Sequence, residues 1–102
     1  MPYQLVLQFP HTSLTDYDAM VQLEQQIDDM LGEFGEVDGH DAGAGEMNIF
    51  VFTPEPKAAF AALEQLLKPF MVSLKAAYRD EEADHETYVV LHPAGATTFT
   101  VA

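Results

Sequence analysis

From Tyr3 to Phe9 the chain alternates, with Tyr3, Leu5, Leu7 and Phe9 on one side and Gln4, Val6 and Gln8 on the other. A period of two belongs to a β-strand with one buried face. Beyond His11-Thr12-Ser13 the period changes. Met20, Leu23, Ile27, Met30, Leu31 and Phe34 recur at helical spacing, the stripe of an amphipathic helix. Ser13 or Thr15 is a candidate N-cap, Asp16 and Asp18 suit the positive end of the helix dipole, and Gly32 or Gly35 ends the helix. The opposite face carries Gln22, Gln25, Gln26, Asp28 and Asp29.

Strand character returns near Gly35, with Val37 its only large apolar residue, followed by a glycine-rich turn around Asp41-Ala42-Gly43. Met47 to Phe52 is almost continuously apolar, as a central strand is. Strand, turn and strand at this spacing predict a β-hairpin. Thr53-Pro54-Glu55-Pro56 closes it and opens a second helix, with Thr53 a candidate cap and a proline in the first turn. The apolar stripe of that helix is Phe60, Leu63, Leu66, Leu67 and Phe70, and Pro69 ends it. Val72 to Tyr78 alternates again as a strand. An acidic turn follows at Asp80–Asp84, then a strand at Thr87–Leu91 and a short edge strand after the break at Pro93-Ala94-Gly95.

The order β-α-β-β-α-β-β predicts an α+β domain of the ferredoxin-like, split βαβ kind. It comprises β-α-β-β-α-β plus an extra C-terminal strand, an antiparallel sheet with two helices on one face. The first and third strands are central in that pattern, and the two most apolar strands here fall at those places. The other sheet face is expected to be uncovered and open to another molecule or a ligand. At 102 residues, with no linker-like stretch, the chain reads as one domain.

Charge changes the functional picture more than the fold. The net charge is −13, and all four basic residues, Lys57, Lys68, Lys75 and Arg79, lie between positions 57 and 79. Eleven of the 17 carboxylates precede Lys57. Nucleic-acid affinity rests on phosphate neutralisation, so this balance argues against DNA and RNA. It argues equally against anionic membranes. A basic protein partner, a cation or a cationic ligand is electrostatically permitted, with a basic protein surface the preferred partner; the competing reading is that the acid keeps a small protein soluble. There is no cysteine, which removes disulfides, thiolate ligands and thiol nucleophiles. The start, Met1-Pro2-Tyr3-Gln4, lacks the basic region and apolar run of a signal peptide, so a cytoplasmic location is expected.

The polar residues of the hairpin are the candidate chemistry. Asp38, His40, Asp41, Glu46 and Asn48 sit among three glycines. Regular alternation puts Asp38 and His40 on one face and Val37 and Gly39 on the other. A histidine with two or three carboxylates could bind a divalent metal or relay protons. The ligand spacing is not diagnostic, and Gly43-Ala44-Gly45 lacks the Lys and Ser/Thr of a phosphate loop. The competing reading is a glycine-rich hairpin whose Asp and Asn residues serve the turn. Ser13 and Ser73 have no nucleophile-elbow context. His11 and His85 read as solvated loop residues, and His92-Pro93 as a strand terminator.

The run Val37-Asp38-Gly39-His40-Asp41, continued by Gly43, Gly45-Glu46-Met47-Asn48-Ile49-Phe50 and then by Thr53 and Pro56, resembles a small family of standalone bacterial proteins of this size. The resemblance implies a bacterial cytosolic protein in which Asp38, Gly39, His40, Asp41, Gly45, Glu46 and Asn48 belong to the recurring pattern. It brings no substrate. In style rather than in motif, the chain is similar to small acidic immunity proteins that neutralise basic toxins.

Two functions stay open on these grounds. The first is a non-enzymatic protein-interaction or regulatory module, homodimeric through the open sheet face or an edge strand, with an inhibitor-like binder of a basic partner as its sharper form. The second is a small metal-dependent or acid–base enzyme in which His40 is ligand or base, Asp38, Asp41 and Glu46 stand beside it, and Asn48 orients water or substrate. The second reading requires His40 and Glu46 to point to the same side of the sheet.

Overall fold

Two chain periods, two and then about 3.6 residues, produce the elements that the computed structural model contains; it describes residues 3–10, 17–43, 46–80, 88–93 and 99. In chain order they are β1 (Tyr3–Pro10), α1 (Tyr17–Leu31), β2 (Glu36–Gly43), β3 (Glu46–Thr53), α2 (Pro56–Leu67), β4 (Lys75–Asp80) and β5 (Val89–His92). Short 3-10 turns, Gly32–Phe34 and Lys68–Phe70, extend the two helices. The protein is α+β. Among the described residues five strands form one antiparallel sheet in the order β2-β3-β1-β4-β5. β1 and β3, the apolar strands, are both interior, where neighbours on each side satisfy their backbone groups.

Alternate residues of the inner strands (Leu5, Leu7, Phe9, Ile49, Val51 and Ala76) meet both helices in one buried cluster. α1 contributes Met20, Leu23, Ile27 and Leu31, and α2 contributes Ala59, Phe60, Leu63 and Leu67. Each of the large side chains stabilises the fold by roughly 1.5–3 kcal/mol through removal from water. Phe9 meets Phe70 edge to face, with ring centroids 5.3 Å apart, which links β1 to the end of the second helix. No helix among the described residues is long and apolar enough to cross a membrane.

Several expectations change. Met30 and Phe34, placed on the core stripe by spacing, are 44% and 45% exposed. Met30 lies at the rim of an arc centred on Leu23, Ile27 and Leu31, and the tighter turn after Leu31 swings Phe34 off it. Val72 belongs to no strand. It is fully exposed in a turn where the amides of Ser73 and Leu74 both donate to the Phe70 carbonyl, at 3.0 and 2.8 Å. The strand starts only at Lys75. Thr53 does not occupy the α2 N-cap position, which is Glu55. Its hydroxyl accepts from the Glu55 amide at 3.0 Å and donates to the Phe34 carbonyl, tying the end of β3 to the end of α1. The caps proposed at Ser13 and Thr15, the acidic turn after Asp80 and the terminal edge strand lie outside the described residues, apart from Phe99, whose ring sits 5.0 Å from that of Tyr88.

The sheet face away from the helices is not open at its centre. Val6, Gln8, Asn48 and Ala77 are at most 3% exposed.

Candidate functional site

The hairpin that carries the candidate residues is longer and less regular than the glycines suggest. β2 runs through Asp41 to Gly43, so the segment read as a turn is paired strand, Asp41 opposite Asn48 and Gly43 opposite Glu46. The connection falls at residues 44–45, outside the described residues. Between Val37 and Gly39 the register slips, leaving Asp38 without a partner on β3. Gly39, next in line, adopts φ +151°, a backbone that a side chain would strain. One extra residue in β2 is a β-bulge, and it resets which side chains share a face.

The consequence is that Val37 and His40 lie on the same, helix-facing side. Val37 pairs with Val51 and packs against the core, and His40 pairs with Ile49. Unbroken alternation had placed them on opposite faces. On β3, Ile49 and Val51 belong to the core while Glu46, Asn48 and Phe50 alternate to the far face. His40 and Glu46 therefore point to opposite sides of the sheet, and Asp41 goes with Asn48 on the far side.

Each candidate residue has a different local setting. The Nδ1 of His40 lies 3.1 Å from Oε2 of Glu24 on α1, and the two side chains are 31% and 18% exposed. Asn48 is buried and accepts at its Oδ1 from Nε2 of Gln8 on β1, at 3.0 Å. Gln8 and Asn48 are direct partners in the β1–β3 register. A satisfied amide pair of this kind fixes register, since a slip would leave two buried polar groups unmatched. Asp38 and Asp41 are exposed, and Glu46 is half-buried. Among the described residues no group of three or more His, Asp or Glu gathers as metal ligands would.

What the structure does bring together is a different set. Along α1, Val21, Glu24, Gln25 and Asp28 form a second stripe of i, i+3, i+4, i+7 spacing. With Val37, Asp38 and Gly39 of β2 this stripe lines an open groove of about 390 Å³. Asp28 also accepts from the amide of Val37 at 3.1 Å. That bond uses a backbone donor that the edge strand would otherwise present to another chain. Gln25 and Asp28, assigned to the outer face by the helix stripe, are thus groove residues. The signal was present in the sequence: carboxylates four apart beside the apolar stripe. What it lacked was a partner element.

No family model, curated protein or solved structure matches the chain.

Proposed function

We propose that the protein is a non-enzymatic interaction module that captures a basic protein partner on its α1–β2 flank. One observation carries this reading: the groove between α1 and β2 is lined by Glu24, Asp28 and Asp38, and neither element contains a Lys or an Arg. Exposed Asp29, Glu33 and Glu36 extend the negative surface around it. Such a surface raises the encounter rate of cationic partners and rejects anionic ones. The enzymatic alternative loses support because its residues divide between two faces, and Glu24 of α1 lies against the histidine.

For the architecture, we read the sheet as a split βαβ with one strand appended. The order β2-β3-β1-β4 and the placement of α1 and α2 between alternating strands support that reading.

The test is titration of the chain with small basic proteins and with acidic proteins of matched size. Binding is expected only to the basic set, and it should weaken steeply as ionic strength rises, because exposed charges are screened over about 8 Å at physiological salt. Equal retention of both sets, or affinity indifferent to salt, would sink the proposal.

A further inference from the structure

We infer that a second cavity, where the chain turns from β3 into α2, binds a small zwitterion carrying an apolar ring, the chemistry of a free aromatic amino acid. It shares no residue with the α1–β2 groove and does not rest on the function proposed above.

The cavity, of about 220 Å³, is lined by Tyr3, Pro54, Glu55, Pro56, Lys57 and Tyr78. Sites for drug-sized ligands run from roughly 300 to 1,000 Å³, so this one suits a ligand no larger than a single amino acid. Tyr3 and Tyr78 are diagonal neighbours on β1 and β4, since Tyr78 lies opposite Leu5. Their rings meet edge to face, with centroids 5.7 Å apart and planes at 85°. Two rings at right angles make a corner into which a third ring packs by the same contacts. The rest of the wall is stiff. Pro54 and Pro56 fix φ on either side of Glu55, and the Thr53 hydroxyl accepts from the Glu55 amide at 3.0 Å. A turn held in shape before the ligand arrives lowers the cost of binding.

The cavity holds one charge of each sign, and both are uncommitted. Glu55 stands at the N-cap position of α2, yet its side chain makes no capping hydrogen bond. Among the described residues neither its carboxylate nor the Lys57 ammonium enters an ion pair or a side-chain hydrogen bond. Lys57 is the first Lys or Arg of a strongly acidic chain. A ligand with one ammonium and one carboxylate satisfies both groups, Glu55 taking the ammonium and Lys57 the carboxylate. A ligand of single charge leaves one of the two facing its like, which disfavours it. A peptide terminus brings only one of the two charges, so the free amino acid is the better match.

The test titrates the isotope-labelled full chain with four probes and reads its amide shifts. L-phenylalanine carries every feature. Phenethylamine lacks the carboxylate, 3-phenylpropionate lacks the ammonium, and alanine lacks the ring. Phenylalanine should shift Tyr3, Glu55, Lys57 and Tyr78 and bind about threefold or more tighter than each of the others. Phenethylamine is the strict comparison, because a net charge of −13 attracts it. Lys57→Gln should weaken phenylalanine about threefold or more without weakening phenethylamine. Glu55→Gln should weaken phenylalanine by a similar factor without weakening 3-phenylpropionate. Lys68→Gln makes the Lys57 charge change on an exposed residue outside the lining and should leave phenylalanine within about twofold. The zwitterion site is overturned if phenylalanine gives no shifts or shifts centred elsewhere. It is equally overturned if phenethylamine binds as tightly, or if the Lys57 and Lys68 variants lose the same. Binding of basic proteins on the α1–β2 flank is a separate measurement that none of these results decides.

Discussion

Asn48 is the residue for which sequence and structure suggest the most different roles, and Asn48→Leu separates them. In the structure its Oδ1 accepts from Gln8 at 3.0 Å, and the two residues are 1% and 3% exposed. Leucine has the same number of side-chain heavy atoms and the same branch point, so no cavity opens, and its bulkier methyls add only to the cost. What changes is that the Gln8 donor loses this acceptor in a place water does not reach. Desolvation of a buried polar group without its partner costs about 1–3 kcal/mol, and the bond itself contributes about 1 kcal/mol. Burial of the added apolar surface offsets part of this, leaving a net loss of about 2 kcal/mol. With a urea m-value of about 1–3 kcal/mol/M, the unfolding midpoint should fall by about 1 M. Adding Gln8→Leu removes the donor that lost its Asn48 acceptor, so the double variant should be more stable than the sum of the single losses predicts, with a coupling of about 0.5–3 kcal/mol. Urea titration followed by circular dichroism measures all four species. A loss below about 0.5 kcal/mol for Asn48→Leu, or strict additivity in the cycle, would refute the sealed amide pair. A functional Asn48 would instead show lost partner binding at unchanged stability.

Three further substitutions test other parts of the account. At Gly35 an added Cβ would lie 2.4 Å from the Phe52 carbonyl oxygen and 3.1 Å from Cβ of Thr53. Gly35→Ala must push backbone apart and should cost about 1–3 kcal/mol in thermal or urea unfolding; an unchanged melt would show that the approach of β2's entry to β3 is looser. Leu63→Ala removes a side chain that is fully buried between α2 and the sheet, and a loss of about 2–5 kcal/mol is expected by the same denaturant assay. Val72→Ser should change stability by less than about 0.5 kcal/mol, since Val72 is fully exposed in the turn before β4; a larger loss would return that residue to a strand face.

Much of this molecule was legible in one dimension. The period of two at Tyr3–Phe9, the helical spacing of Leu23, Ile27 and Leu31, the apolar run Met47–Phe52 and the prolines at 54 and 56 specify element types, because burying one face imposes its period on the chain. They also indicate which strands are interior, since only a strand paired on both sides and covered can be so continuously apolar. The uneven charge is equally legible, and the expectation that anionic partners are disfavoured rests on it alone. Register and juxtaposition were not. The bulge at Asp38 shifts His40 onto the core side; a glycine in a strand is a signal for such a bulge, but the segment offers three glycines, and which of them adjoins the extra residue is settled by how β2 meets β3. The burial of Gln8 and Asn48 follows from their facing each other across β1 and β3, a contact 40 residues apart in sequence. The groove likewise arises only when α1 lies along β2, turning a stripe that reads as ordinary solvent-facing polarity into one wall of a shared surface. Periodicity determines what each segment is, whereas packing decides which polar groups meet, and in this protein the candidate function depends on those meetings.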